Sequence, residues 1–408
     1  MTDPLSKPQN SKSQTLKVLH VIPSVAPCRG GPSKAIIEMV YALRQIGVDA
    51  EIATTNDNGA ELLDVELNRL TEYQGVPIRF FKRFSPPINF LREFAYSYGF
   101  TRWLNAHIAD YDLIHVHAIF SYCSTRTMAI ARKHNVPYVV RPIGQLESWS
   151  LEQSKGRKKQ YLDLIERKNL NAAAMVHFTA ESEKEQALEL LPNLTSTVTP
   201  LGIDLPMLVR DSHTKMIERW QLNDHCTTLV YLSRIHPKKG LDILLKALAS
   251  LDDIEFQLVI AGTGNKDHIQ ELKQLSEQLG IDQHCHFIGF VQGLEKNTLL
   301  QGADLFTLTS HSENFGIAVL EALASGTPAL ISQEVALSEQ VSQEQLGYVT
   351  ELNIEAVKDT LSSALNNTEQ LKQTGNKARR FIEQNYQWPV ISKQLLAVYK
   401  HIKSNNNV

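Results

Sequence analysis

The sequence predicts an α/β protein of two doubly wound, Rossmann-like parallel-sheet domains, and three observations carry that expectation. Short β-branched runs alternate with helical patterns along almost the whole chain, as in parallel sheets joined by crossover helices. The series restarts near residue 226, after a stretch without strand pattern, "GIDLPMLVRDSHTKMIERWQLNDH". A length of 408 residues also exceeds what one ordinary core serves.

The elements follow in order. The first half offers the strands "LKVLHVIPS", "VDAEIATT", "PIRFF", "YDLIHVHA", "PYVVRPIG", "AAMVHFTA" and "STVTPLGID"; the second offers "TTLVYLSRI", "FQLVIAGTG", "CHFIGFV", "DLFTLTS", "PALIS" and "LGYVT". Between them lie amphipathic segments such as "GPSKAIIEMVYALRQIG", whose Ile36, Ile37, Val40, Leu43 and Ile46 share one apolar face. This spacing predicts a disordered tail over 1–15, domains over 16–205 and 206–385, and a C-terminal helix over 386–408, placed to pack back on the first domain. Two such domains are expected to face each other across a cleft, with ligands at the carboxyl ends of the strands.

Composition removes several classes. Hydrophobic residues are 43% and charged residues 21%, those of an ordinary globular chain. A net charge of -3 disfavours a nucleic-acid partner. The longest apolar runs reach about ten residues, half a bilayer span, and the polar N-terminus has no signal-peptide core. The scattered Cys28, Cys123, Cys226 and Cys285 fit neither a zinc site nor a disulfide scaffold. A cytoplasmic location is therefore expected.

Five segments bear on chemistry. In "SVAPCRGGPSKAII" the glycines Gly30 and Gly31 open a helix whose first N–H groups suit a phosphate, although a plain loop entering a helix explains the stretch equally well. In "LSRIHPKKGLD", Arg234 ends a strand, and Lys238 and Lys239 precede a helix; they can grip a diphosphate or simply be solvated. The "GTG" from Gly262 to Gly264 is a tight turn, with or without ligand contact. In "DYDLIHVHA", His115 and His117 share one strand face; His117 is expected to open onto the cleft and His115 to be packed. Asp110 and Asp112 form a D-x-D spacing at the wrong edge of the sheet for a metal, so they read as structural. The fifth, "SENFGIAVLEALASGTPAL", places Glu313 before an apolar helix and Glu321 within it. A carboxylate on so apolar a helix needs a partner. Carboxylates for hydroxyls beside cations and amides for phosphates suggest one ligand, a nucleotide sugar.

The set "GGPSKAI", "IHVHA", "SRIHPKKGLD", "IAGTG", "ADLFTLTSHSENFGIAVLEALASGTPAL" and "NYQW" resembles the family 4 retaining glycosyltransferases of GT-B fold, from about residue 17 to about residue 400. The resemblance implies that Glu321 accepts the ribose hydroxyls and Glu313 holds the donor sugar. It also implies that Arg234 and Lys239 neutralise the diphosphate, and that His117 lines the sugar pocket near the anomeric carbon. Gly30, Gly31, Gly262 and the turn Asn314, Phe315, Gly316 and Ile317 complete the donor site. Front-side displacement with retention is implied, with no metal and no other cofactor; the cations stabilise the charge that develops on the leaving diphosphate. The implied partners are a nucleotide-sugar donor and a glycan or lipid-linked acceptor. Family members often carry Gly-Gly after "GTPAL", where this chain reads "ISQEVALSEQV" with Glu339. On the acceptor side, the aromatic segment "FSPPINFLREFAYSYGFTRW" reads as core or acceptor border. The basic run within 154–168 reads as a solvated face or a peripheral contact with the inner face of the plasma membrane. A phosphorylase, a nucleotide-sugar epimerase or a non-catalytic nucleotide-sugar binder are the rival readings.

Overall fold

The computed structural model describes residues 15–88, 92–152, 156–251 and 255–406. The tail expected over 1–15 lies, but for Thr15, outside the described residues, as do Phe90, Ser154 and Lys155 of the acceptor-side segments.

The first sheet draws on β1 (Lys17–Val21), β2 (Asp49–Thr55), β5 (Leu70–Tyr73), β6 (Val76–Phe81), β7 (Leu113–His117), β8 (Tyr138–Arg141), β9 (Met175–Phe178) and β10 (Ser196–Val198); β3 (Asp57–Asn58) and β4 (Glu61–Leu62) form a separate hairpin. Its order is β10-β9-β8-β7-β1-β2-β6-β5. The second sheet contains β11 (Thr227–Leu232), β12 (Phe256–Ala261), β13 (Cys285–Gly289), β14 (Leu305–Leu308), β15 (Ala329–Ser332) and β16 (Gly347–Thr350), in the order β13-β12-β11-β14-β15-β16. That is the doubly wound order in which the direction of winding reverses between the first and fourth strands, here β11 and β14. In the first sheet the reversal falls between β1 and β7. Helices cover both faces of such sheets, so their central strands bury nearly every residue; β12, for example, is buried throughout.

Every strand expected from the sequence is present, and one departure has a clear cause. The sheets were expected to be parallel, but β5 pairs antiparallel with β6. Gln74 and Gly75 between them both have positive φ, 51° and 80°, the backbone of a two-residue hairpin turn of type I′. The helix Gly31–Gln45 buries Ile36, Ile37, Val40 and Leu43 as expected, while Ile46 caps its end half-buried. The chain divides into two compact units, Met1–Val140 with Ala172–Ala174 and Leu396–Val408, and Arg141–Asn171 with Met175–Leu395. The four cysteines are free thiols. Among the described residues, no helix is long and apolar enough to cross a membrane.

Candidate functional site

The residues singled out in the sequence cluster after the strands where each sheet reverses. In the second sheet, Arg234 follows β11, Gly262 follows β12 and Glu313 follows β14. Two close backbone approaches build this edge. Gly262 lies so near Ser233 that a Cβ there would stand 1.8 Å from the Ser233 carbonyl oxygen; the glycine is explained by this crossing, whatever else it touches. Gly240, in a left-handed conformation (φ 62°), crosses Thr309 as closely, with a built Cβ 1.8 Å from the Thr309 carbonyl oxygen. Thr309 Oγ1 donates to the Gly240 carbonyl at 2.8 Å, and the His311 amide to the Lys238 carbonyl at 2.8 Å. The turn carrying Lys238 and Lys239 is thus laced to the chain that leads into Glu313.

That lacing brings cation and carboxylate into contact. Lys239 Nζ donates to Glu313 Oε2, with both side chains largely buried. Burial, then Lys238 and Arg234, push the Lys239 ammonium down to about 7, and Glu147 opposes them. Arg234 stays exposed. On the far side of Glu313, its amide donates to the Glu334 carbonyl at 3.1 Å and its carbonyl accepts from Ala336 at 2.9 Å. In the stretch that replaces the family's glycines, Val335 is fully buried and lies beside Gly316, so this loop buttresses the turn. Glu339 stands exposed on the short helix Ser338–Gln343.

The apolar helix runs over Ile317–Ser325 with Gly316 as its N-cap, two residues later than the start near Phe315 that the sequence suggests. Its first-turn amides therefore open beside Asn314 and the buried Phe315. The Asn314 Oδ1 is enclosed and has no hydrogen-bond partner among the described residues. The question posed by Glu321 has an answer that the sequence did not contain: its Oε1 accepts from Lys296 Nζ at 2.7 Å, from the helix Gly293–Gly302.

Glu147 is a second residue missed by sequence reasoning. It follows β8, is 7% exposed, and its Oε2 accepts from Ser312 Oγ at 2.8 Å. Burial raises its carboxyl, against the lowering effects of the Ser312 bond and of Lys238 and Lys239. Two residues on, the Trp149 ring carries Lys238 Nζ 4.2 Å from its centroid. The segment after β8 therefore supplies both a carboxylate and an aromatic face to the cation turn, and nothing in "GQLESW" alone signals it.

In the first sheet, Gly30 closes the turn Pro27–Arg29 and Gly31 begins the helix after β1, while His117 ends the adjacent β7. The expectation that His117 opens outward is corrected. His117 is completely enclosed, because His20 of β1 covers it with a 3.0 Å hydrogen bond from ring to ring. His115 is packed, as expected. The D-x-D pair has structural partners: Asp112 accepts the Lys17 amide at 2.8 Å and pairs with Lys403 at 2.8 Å, and Asp110 lies 3.2 Å from His107.

The family model "Glycosyl transferases group 1" matches residues 212–381, and the "Glycosyl transferase 4-like domain" matches residues 30–202. An uncharacterized glycosyltransferase of Methanocaldococcus jannaschii is 31% identical over 42% of this chain and 44% of its own length, so the chain spans less than half of that relative. The alpha-monoglucosyldiacylglycerol synthase of Streptococcus pneumoniae is 26% identical over 79% of this chain and 72% of its own. Among solved structures, HepE of Anabaena in complex with UDP and glucose superposes with a TM-score of 0.73 at 18% identity, covering 95% of this chain and all of that one. The chain is a glycosyltransferase of GT-B fold, related to the group 1 and 4-like glycosyltransferase families.

Proposed function

We propose that this glycosyltransferase moves a sugar from a nucleotide-sugar donor to a glycan or lipid-linked acceptor, with retention and without a metal. The observation that carries the reading is the Lys239–Glu313 contact beside Arg234, at the reversal point of the second sheet. Arg234 and Lys239 take the diphosphate, with the amides that open at Gly316. Glu313 takes sugar hydroxyls, and the Asn314 Oδ1 offers a further acceptor for one. Glu321, its charge already balanced by Lys296, accepts the neutral ribose hydroxyls at modest desolvation cost. Gly30 and Gly31 approach the phosphates, and Gly262 borders the nucleotide. His117 shapes the sugar side from within the first sheet rather than as an open group.

In this reading, residues 16–205 serve the acceptor and residues 206–385 the donor. The leaving diphosphate takes the acceptor proton, and the cations stabilise its charge as the glycosidic bond breaks. UDP and glucose in HepE and the glucosyldiacylglycerol named for the Streptococcus enzyme make UDP-hexoses and lipid acceptors the first to offer. Metal independence rests on Asp112 being committed to Lys17 and Lys403.

The test is turnover with a panel of nucleotide sugars and acceptors, in EDTA. Product with inverted configuration, or activity abolished by the chelator, would overturn the mechanism. Sugar isomerisation without an acceptor would favour an epimerase; donor binding without turnover against every acceptor, a non-catalytic binder.

A peripheral membrane contact on the cytoplasmic side belongs to the same proposal. Beyond the helix Arg157–Tyr161, Leu164 is 82% exposed and Ile165 39% exposed, beside the exposed cations Arg157, Lys159 and Lys168. An apolar tip on a segment of exposed cations, whose Asp163 is paired with Arg167, suits an anionic bilayer. Exposed Phe84, Ile88, Tyr96 and Tyr98 give the acceptor a second apolar surface; Tyr98, 68% exposed, falls on the border rather than in the core. The enzyme is expected to sediment with vesicles containing anionic lipid and not with zwitterionic ones. Leu164→Glu should abolish that binding, and equal sedimentation of the variant would remove the contact.

A further inference from the structure

The proposed reaction leaves one buried carboxylate beside the donor turn without a role. Glu147, between β8 and the helix Ser148–Glu152, lends its Oε2 to Ser312 Oγ at 2.8 Å, one residue before Glu313. Both residues belong to one compact unit, that of Arg141–Asn171 with Met175–Leu395. The Ser312 carbonyl accepts from Ser310 Oγ at 2.9 Å, and the Ser310 carbonyl from Ser332 Oγ at 2.6 Å. A chain of hydrogen bonds therefore runs from Glu147, through the approach to Glu313, to the end of β15.

Glu147 is itself held from behind. The Gly144 amide donates to Glu183 Oε1 at 2.7 Å, and Glu183 Oε2 accepts from the Thr179 amide at 2.9 Å and the Thr179 hydroxyl at 3.0 Å. Glu183, buried in the first turn of the helix Glu181–Leu190, is fixed by these three bonds. The turn it grips is strained, since Ile143 has a φ of 58°, a backbone that β-branched residues rarely adopt. Such strain persists only where the surroundings over-determine it, and it gathers at functional sites. Gly144 also packs on the donor turn: a Cβ there would stand 2.8 Å from Asn314 Cβ and 3.0 Å from Glu147 Oε1. Two buried carboxylates thus clamp a strained turn onto Ser312 and Asn314, the neighbours of Glu313 on either side.

We propose that Glu147 is a positioning residue for the donor sugar: through its bond to Ser312, on a turn anchored by Glu183, it fixes the backbone that presents Glu313. This rests on the reading of Glu313 as the carboxylate that holds sugar hydroxyls. The role needs an acceptor oxygen at this place rather than a charge. Burial pushes the Glu147 carboxyl up, while the Ser312 bond, Lys238 and Lys239 pull it down; a glutamine amide would offer Ser312 the same acceptor. Charge balance toward Lys238 and Lys239 is the competing role, and the amide separates the two.

Amide hydrogen exchange of the full-length protein reads the turn without substrate. The Glu313 amide bonds to the Glu334 carbonyl, and the Ala336 amide to the Glu313 carbonyl. Both should exchange about tenfold faster in Glu147→Leu and in Ser312→Ala, as local opening becomes easier. In the same variants kcat should fall on the order of tenfold, the scale of a misplaced active-site group, with the donor KM nearly unchanged. The double variant should lose no more than either single one, because both remove one interaction. Glu147→Gln should recover most of the exchange protection and of kcat; thermal melting checks that each variant folds. Losses that multiply in the double variant, a glutamine no better than leucine, or unaltered exchange in Glu147→Leu would overturn the proposal. Faster exchange with unaltered kcat in Glu147→Leu would overturn the positioning role. If Glu313→Ala also keeps full turnover, it is the sugar-holding reading of Glu313 that fails, and the exchange result stands apart from it.

Discussion

Glu313→Ala is expected to lower turnover by about 10²-fold, roughly 2.7 kcal/mol of transition-state stabilisation, with the fold intact. Two losses combine in it. The donor sugar loses a hydroxyl acceptor, and Lys239 loses the carboxylate it pairs with in a largely buried setting. The companion Glu313→Gln separates them, because an amide still bonds a hydroxyl but no longer balances an ammonium. If hydroxyl binding dominates, Gln recovers much of the activity; if charge balance dominates, Gln resembles Ala. Arg234→Ala, at an exposed cation, should instead act on nucleotide diphosphate affinity measured by calorimetry. Unchanged turnover in Glu313→Ala would remove the residue from the reaction.

Gly240→Ala should produce a large loss of stability at this edge. The added carbon would stand 1.8 Å from the Thr309 carbonyl oxygen, a backbone atom that cannot rotate away, and φ at this position is 62°. Left-handed backbone alone costs about 1–2 kcal/mol for a non-glycine residue. The clash brings the expected total to about 3 kcal/mol or more, read from the urea midpoint of unfolding. Because the same crossing holds the turn of Lys238 and Lys239 against the approach to Glu313, nucleotide affinity should fall together with stability. A variant of unchanged midpoint would mean that the turn and the Thr309 strand end move independently.

The strands were legible because buried parallel strands announce themselves as apolar, β-branched runs of the right length; the strand order, and with it the reversal edge of each sheet, came only from the structure. What was not legible depends on pairs that no spacing rule joins. Lys296 reaches Glu321 from a separate helix, and neither sequence neighbourhood names the other. Glu147 lies in a loop of ordinary composition and gains its character only by burial against Ser312. His117 misled for the same reason: a strand end predicts openness, but the neighbour in register decides it, and His20 could be identified as that neighbour only once β1 and β7 were aligned. The antiparallel β5 was signalled by Gln74-Gly75, a turn weaker in the sequence than Asn-Gly.

The embrace of Lys239 and Glu313 carries one more consequence. With no guest, each opposite charge is the other's counter-ion, and a visitor that engages only one of them leaves its former companion without it in a largely buried setting. Inorganic phosphate alone abandons the acid; a bare monosaccharide abandons the amine. On the proposed reading, only a molecule bearing an anion at one end and alcohols at the other would compensate both at once, so the resting lysine–glutamate couple would discriminate between whole donors and their fragments before any further contact is made.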